Sequence, residues 1–383
     1  MAPPRGKRVR SASPSASTTP CRKSARLEAQ PSSSTRQPSA GLSIMSTDTD
    51  TSESWEALRE EAAERVDSYE PQNRPDEAIL KASLHAFLQW LPEKGRSAVA
   101  RDIKHATSDN TLYDVFHNLF TCLAAPMKAR SQQPSVTDSP HGKRQEQLEA
   151  VASKLDQPST RTEDFRKLCL KRDGYRCVVT GQMDVEHWIE SNCPADIPKG
   201  LVEAAHIIPF SYGSWDKASA PPHGTSSAWT FLYRCFPDVL EAGMKPENIN
   251  NLWNGMTLRN ALHVEFGRFS LAFKPTEKEN VYQLRVFEKR ISDFELMHLP
   301  SSREVQFKKA EDAQDLELPS AAFLDCHWRL SEILDASGMA EVIEKHLRDW
   351  DDIKGSTGGS LREDGGTDIG HILQVGLWER VVG

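Results

Sequence analysis

Leu201-Val202-Glu203-Ala204-Ala205-His206-Ile207-Ile208-Pro209-Phe210 and, further on, Asn250-Asn251-Leu252-Trp253-Asn254-Gly255-Met256-Thr257-Leu258 are the stretches that decide how this chain folds. Each ends an apolar run at a polar group, His206 before Pro209 in one and Asn254 before Gly255 in the other. The runs have the length and composition of buried strands. Residues 260–266 follow at once as a short helix carrying Leu262-His263, and His263 stands nine positions after Asn254. The predicted order is strand, long insertion, strand, helix, with one histidine at a strand end and one on the helix.

Working outward, Phe165-Arg166-Lys167-Leu168-Cys169-Leu170-Lys171-Arg172-Asp173 predicts an amphipathic helix that Gly174 ends, and residues 175–181 predict a strand running into a turn. Residues 269–273 and 281–287 predict two more strands, the second with alternating apolar positions. The expectation for 161–300 is therefore an α+β block. The insertion at 211–248, rich in Pro, Gly, Ser and aromatic residues, reads as a recognition loop or a surface excursion.

Residues 53–130 predict a small helical unit. Trp55, Leu58, Ala62 and Val66, then Ile79, Leu80, Leu84, Phe87, Leu88 and Leu91, and finally Leu112, Val115, Phe116, Leu119 and Phe120, recur at helical spacing. Asp109 or Asn110 is the expected N-cap of the last helix. Residues 131–160 read as a polar linker with a short helix near 145–155. Residues 301–352 read as a C-terminal helical extension, one helix running from 321 past Val342 to Trp350, and 353–383 as a loose Gly- and Asp-rich tail.

Residues 1–52 carry Ser, Pro, Thr and Arg and almost no large apolar side chains, too little to offset the entropy of ordering. A disordered tail is expected. Its basic cluster, Arg5, Lys7, Arg8 and Arg10 with Arg22, Lys23 and Arg26, has the composition of a nuclear-localisation signal or a DNA-binding arm. The prolines there spoil the amphipathic helix that a mitochondrial transit peptide requires.

The bulk numbers narrow the function classes. The 383 residues carry a net charge of -8, so nucleic-acid binding, if present, rests on local patches and not on the whole chain. The seven cysteines form no C-x-x-C pair, which argues against a zinc ribbon or finger and for reduced thiols in an intracellular protein. No run approaches the roughly 18 to 20 apolar residues that a membrane span needs, so no membrane partner is expected. The adjacent Cys326 and His327 project about 100° apart on a helix and cannot form a thiol–imidazole dyad by themselves.

The ordered set Ala204-Ala205-His206-Ile207-x-Pro209, Asn251-x-x-Asn254-Gly255-x-x-Leu258 and Leu262-His263-x-x-Phe266 resembles the fungal and bacterial HNH (ββα-metal) endonucleases. The entry Arg172-Asp173-x-x-x-Cys177-x-x-Thr180-Gly181 and the trailing Phe269-x-x-x-Phe273 belong to the same pattern, which covers about a third of the chain. The resemblance implies a ββα-metal core that hydrolyses phosphodiester bonds of nucleic acid, DNA in the first place. It implies His206 as general base, His263 as ligand of one divalent ion (Mg²⁺, Mn²⁺ or Zn²⁺), and Asn254 as the residue that holds the loop so His206 presents the correct nitrogen. Arg259 and Arg268 flank the helix and are the expected phosphate contacts.

One departure bears on activity. One turn beyond the helix histidine the family commonly places a second ligand, often Asp, and here stands Gly267. Glu203 and Glu265 are the nearest substitutes in sequence. Two alternatives therefore stand beside an active nuclease: a catalytically degenerate HNH module that binds nucleic acid or protein, and an interaction protein whose working part is the helical unit 53–130.

Overall fold

The computed structural model describes residues 54–128, 163–213 and 223–355, and these described residues fall in one compact unit. The expected tail at 1–52, the helix at 145–155 and the chain beyond 355 lie outside the described residues.

The first helices form because their apolar stripes have one core to share. Helix α1 (Trp55–Asp67) begins at Ser54, whose hydroxyl accepts the Ala57 N–H at 3.2 Å, and it buries Leu58, Ala62 and Val66. Helices α2 (Leu80–Trp90) and α3 (Glu93–Lys104) follow. The third was not foreseen, since Val99, Ala100 and Ile103 are a thin stripe in a charged segment. Helix α4 (Asp109–Leu119) is capped by Ser108 and not by Asp109 or Asn110. Ser108 and Thr111 exchange side-chain to backbone hydrogen bonds at 3.2 and 3.1 Å. The Asp109 carboxylate instead reaches α1, 3.0 Å from Arg65. The chain runs on through a buried π-helical segment, Phe120–Ala124, to a last turn, Ala125–Lys128.

After α5 (Glu163–Arg172) the strand expected at 175–181 does not form. Gly174 and Tyr175 take φ of +63° and +56°, which curls the chain into turns closed by Gly181 N–H to Cys177 O and Cys177 N–H to Gln182 O, both 2.9 Å. Strand β1 (Met183–Asp184), helix α6 (Val185–Glu190) and strand β2 (Lys199–Gly200) complete a small parallel pairing. Strand β3 (Val202–His206) precedes the insertion.

The described part of that insertion is core, not surface. Helix α7 (His223–Cys235), followed by α8 (Pro237–Glu241), buries Trp229, Leu232 and Cys235 completely. The Trp229 indole donates to Tyr212 O at 2.8 Å, and Arg234 pairs with Asp102 of α3 at 2.7 Å. At Gly95 of α3 an added Cβ would lie 1.9 Å from the Cys235 carbonyl oxygen, so α3 and α7 meet backbone to backbone there.

Strand β4 (Gly255–Arg259) pairs antiparallel with β3, His206 opposite Gly255 and Val202 opposite Arg259. Helix α9 (Asn260–Gly267) follows without a gap. Strands β5 (Leu271–Pro275), β6 (Val281–Val286) and β7 (Glu304–Gln306) make an antiparallel sheet, with α10 (Asp293–Met297) between the last two. The third of these strands is too short, with only Val305 buried, to announce itself in the sequence.

The C-terminal helix is two helices. Gly338 at φ +73° ends α11 (Ala321–Ser337) before α12 (Met339–Gly355) begins. Helix α11 lies between α2 and β5, so the helices on both flanks and the β3–β4–α9 block share one hydrophobic core.

Candidate active site

A cleft of about 900 Å³ opens beside β3, β4 and α9. His206, Glu203 and His263 line it, together with Phe165, Arg166, Asp184, Lys128, Gly267 and His327.

His206 is held by fixed groups against its ring face and at one ring nitrogen. Its ring stacks on Phe165 at 4.0 Å and 12°, and its Nε2 lies 3.1 Å from the Asn250 side-chain oxygen. Phe165 reaches that position because residue 255 is glycine: a Cβ there would stand 2.4 Å from the Phe165 ring. Asn254 is fully buried and does its work on the backbone. Its Oδ1 accepts from Ile208 N–H at 2.8 Å, while its Nδ2 donates to Ile208 O at 3.0 Å and to Ile249 O at 2.9 Å. It therefore clamps the residues just after His206, and Asn250 is the asparagine that meets the imidazole.

Beneath this loop, Arg172 is fully buried and donates to both Asp173 carboxylate oxygens and to the carbonyls of Leu252, Gly255 and Glu317. Asp173 in turn accepts the Thr257 N–H at 2.8 Å. The Arg-Asp pair at the end of α5 thus fixes both sides of the Asn254 loop.

His263 is held more lightly. Its Nδ1 lies 2.7 Å from Glu203 Oε2, and the other Glu203 oxygen accepts from Asn260 Nδ2 at 2.7 Å. Burial acts to raise the Glu203 pKa, but the hydrogen bonds from His263 and Asn260 and the nearby charges of His263 and Arg166 hold it below the usual carboxylate range. Register makes this pairing: β3 sets Glu203 opposite Leu258, so its side chain spans the first turn of α9. Glu265 is buried and 3.8 Å from Arg268. A Cβ on Gly267 would meet nothing within 4 Å, so the place of the family's second ligand is open space.

Among the described residues no group of three His, Cys, Asp or Glu side chains is placed to hold a metal ion. On the helix side the donors are one imidazole, His263, with the Glu203 carboxylate behind it. With Nδ1 given to Glu203, Nε2 is the nitrogen His263 offers to an ion, the arrangement in which a carboxylate fixes a ligand histidine's tautomer. Such a set fits an ion held jointly by phosphate oxygens and water; it does not fit a closed four-ligand site.

The remaining expected residues divide. Arg259 forms a buried ion pair with Glu295 of α10. Arg268 is half-exposed at the C-terminal end of α9. Arg166, which the sequence reading passed over, lines the cleft beside Glu203. Cys326 and His327 make no dyad. Burial pushes the thiol's pKa far up, and the imidazole, sandwiched by Phe266 at 3.7 Å and Phe269 at 4.2 Å, has its pKa driven by burial down to about 3.

A β-hairpin followed at once by a helix, with a histidine on each and an asparagine loop between, is the ββα arrangement. Residues 177–274 match the family model described as HNH endonuclease, and the chain thus carries an HNH-family domain. No curated protein and no solved structure matches. The HNH domain implies a nucleic-acid substrate, and HNH nucleases generally use a divalent metal ion. Among the described residues no helix is long and apolar enough to cross a membrane.

Proposed function

We propose that the protein is a metal-dependent endonuclease that hydrolyses phosphodiester bonds of DNA. The observation that carries this reading is that His206 and His263, one from the strand and one from the helix of the matched segment, line a single cleft.

His206 acts as general base. With the Asn250 oxygen accepting from Nε2, the ring proton sits on that nitrogen and Nδ1 carries the lone pair that takes a proton from water. Phe165 stacking and the Asn254 clamp keep the ring aimed while the water attacks phosphorus in line. His263 Nε2 would hold the ion, and Glu203 is a positioning residue that orients this ring. A divalent ion held there would supply charge neutralisation at the phosphate and at the departing oxygen. Arg166 and Arg268 meet neighbouring phosphates, and Arg259, tied to Glu295, supports β4 instead. Mg²⁺ and Mn²⁺ suit this sparse donor set better than Zn²⁺, which favours several nitrogen or sulfur ligands. The basic cluster from Arg5 to Arg26 supports a nuclear destination.

Gly267 and the lack of a three-ligand group among the described residues favour a second reading, a degenerate HNH module that binds DNA without cutting it. Supercoiled plasmid incubated with the protein and Mg²⁺, Mn²⁺, Zn²⁺ or chelator separates the two. Nicking that needs a metal and falls about 10³-fold in His206→Ala supports the nuclease. DNA binding with no cleavage under any metal would replace it with the degenerate module.

A further inference from the structure

Two of the side chains that line the cleft, Lys128 and His327, come from outside the matched segment. Lys128 closes the N-terminal helical run, and its side chain is 2% exposed. Its ammonium donates to Arg268 O at 2.6 Å and to Glu344 of α12 at 2.7 Å. His327 of α11 donates from Nε2 to Phe266 O at 3.1 Å, with its ring stacked on Phe266 and Phe269. Both bonds land at the same place, the carbonyls at the C-terminal end of α9.

Helix α9 has eight residues and carries His263 one turn before Phe266. A helix this short leaves about half its carbonyls without an internal partner and is marginal alone, so whatever grips its ends sets its position. The N-terminal end is gripped within the matched segment, by Glu203 on Asn260. The C-terminal end is gripped by Lys128 and His327. A cation at a helix C-terminus also suits the helix dipole. Packing alone does not account for Lys128: an apolar side chain of similar volume would fill the site without the cost of burying a charge. That cost is visible in its pKa, which burial lowers to about 8.

We infer that Lys128 and His327 are positioning residues for the metal-binding helix, so that the helices flanking the HNH segment are part of the nuclease site and not appendages to it. The inference rests on the reading of His263 as the metal ligand. It gives the helical run from α1 to Lys128 a role in setting where His263 stands, and it predicts that the matched segment by itself lacks a complete site.

The test uses the full chain with Lys128→Met and Glu344→Gln combined, so that the partly exposed Glu344 carboxylate is not left without its cation, and Lys128→Arg as the variant that keeps a donor on the Arg268 carbonyl. The first readout is histidine-selective ¹⁵N NMR, with His263→Ala and His206→Ala giving the assignments. In the double variant the His263 ring signals shift or broaden while those of His206 and His85 stay in place, and a melting curve confirms that the protein is folded. The second readout is Mn²⁺ titration of plasmid nicking: the half-saturating concentration rises about ten-fold with the rate at saturation largely kept, and Lys128→Arg restores it. Unchanged His263 signals in a folded double variant would overturn the inference, whatever the cleavage assay shows. A wild type that fails to cut DNA under any metal would sink the nuclease reading, while the NMR comparison would still decide whether this clasp sets His263.

Discussion

His206 and His263 face one cleft, yet they are held in different ways. His206 is stacked on Phe165 and bonded to Asn250, and the loop behind it is nailed down by the buried Asn254 and Arg172. His263 and its partner Glu203 are 37% and 44% exposed, and the position one turn further on is an open glycine. On the proposed reading, the base side would be finished before substrate arrives, while the metal side would offer one nitrogen and leave phosphate and water to supply the rest. Preorganisation is concentrated where a lone pair must be aimed, because a misplaced general base loses its proton transfer outright. An ion can be completed by its substrate.

The largest test of this contrast, after His206→Ala, is Arg172→Ala. It leaves the Asp173 charge buried without its cation and takes the Arg172 donor from the carbonyls of Leu252 and Gly255. Loss of a buried charge partner costs about 3 to 5 kcal/mol. Urea denaturation measures it, and a loss under about 1 kcal/mol would mean that the base side is not braced as described.

The next effect is a pH dependence. His327 is fully buried and its pKa falls from 6.5 to about 3 on folding. The unfolded chain therefore takes up a proton between these values that the folded chain refuses, so stability is present above pH 6.5 and is lost as pH falls toward 3. Between pH 7 and 5 the loss is about 2 kcal/mol. His327→Gln, which keeps an N–H donor for Phe266 O, is expected to flatten that part of the stability–pH curve. An equally steep curve in the variant would assign the slope to other groups.

Smaller again is Glu203→Gln. The amide keeps the shape but no longer polarises His263, so half-saturation by Mn²⁺ is expected to rise about ten-fold, with little change in stability at this half-exposed site. A fall in maximal rate with unchanged metal dependence would instead put Glu203 in the chemical step.

What was legible in the sequence follows the same division. The order strand, strand, helix could be read because β3 and β4 are short apolar runs and α9 follows without a loop. For that reason His206 falls on the strand, Asn254 in the loop and His263 on the helix where the spacing puts them. The strand expected at 175–181 was a false reading, since apolar content there does not reveal that Gly174 and Tyr175 both turn left-handed. Asn250 was hidden beside Asn251 and Asn254, with nothing in the chain to say which amide meets the imidazole. Lys128 and Arg268 stand 140 residues apart, and no local pattern records a contact at that range. Glu203 was visible beside Glu265 as a substitute, but sequence spacing does not show which of the two a strand register brings to His263.

The finest probe of the contrast is Gly267→Asp, which asks whether the metal side can be finished in advance. Positions 263 and 267 lie one turn apart on one face of α9, and a Cβ at 267 meets nothing within 4 Å, so the carboxylate has room to reach an ion held by His263. An acid at a helix C-terminus costs about 0.3 to 1 kcal/mol, and replacing glycine inside a helix returns a few tenths, so the fold should tolerate it. Mn²⁺ binding without DNA, followed by the ion's paramagnetic resonance, is then expected to tighten a few-fold, a gain of about 1 kcal/mol, with smaller change in the presence of DNA. Tighter binding in both conditions to the same degree would mean that phosphate never supplied the missing ligand. A folded variant that binds Mn²⁺ more tightly but no longer cuts would mean that the space beside Gly267 belongs to the DNA, and that the glycine is there to admit it.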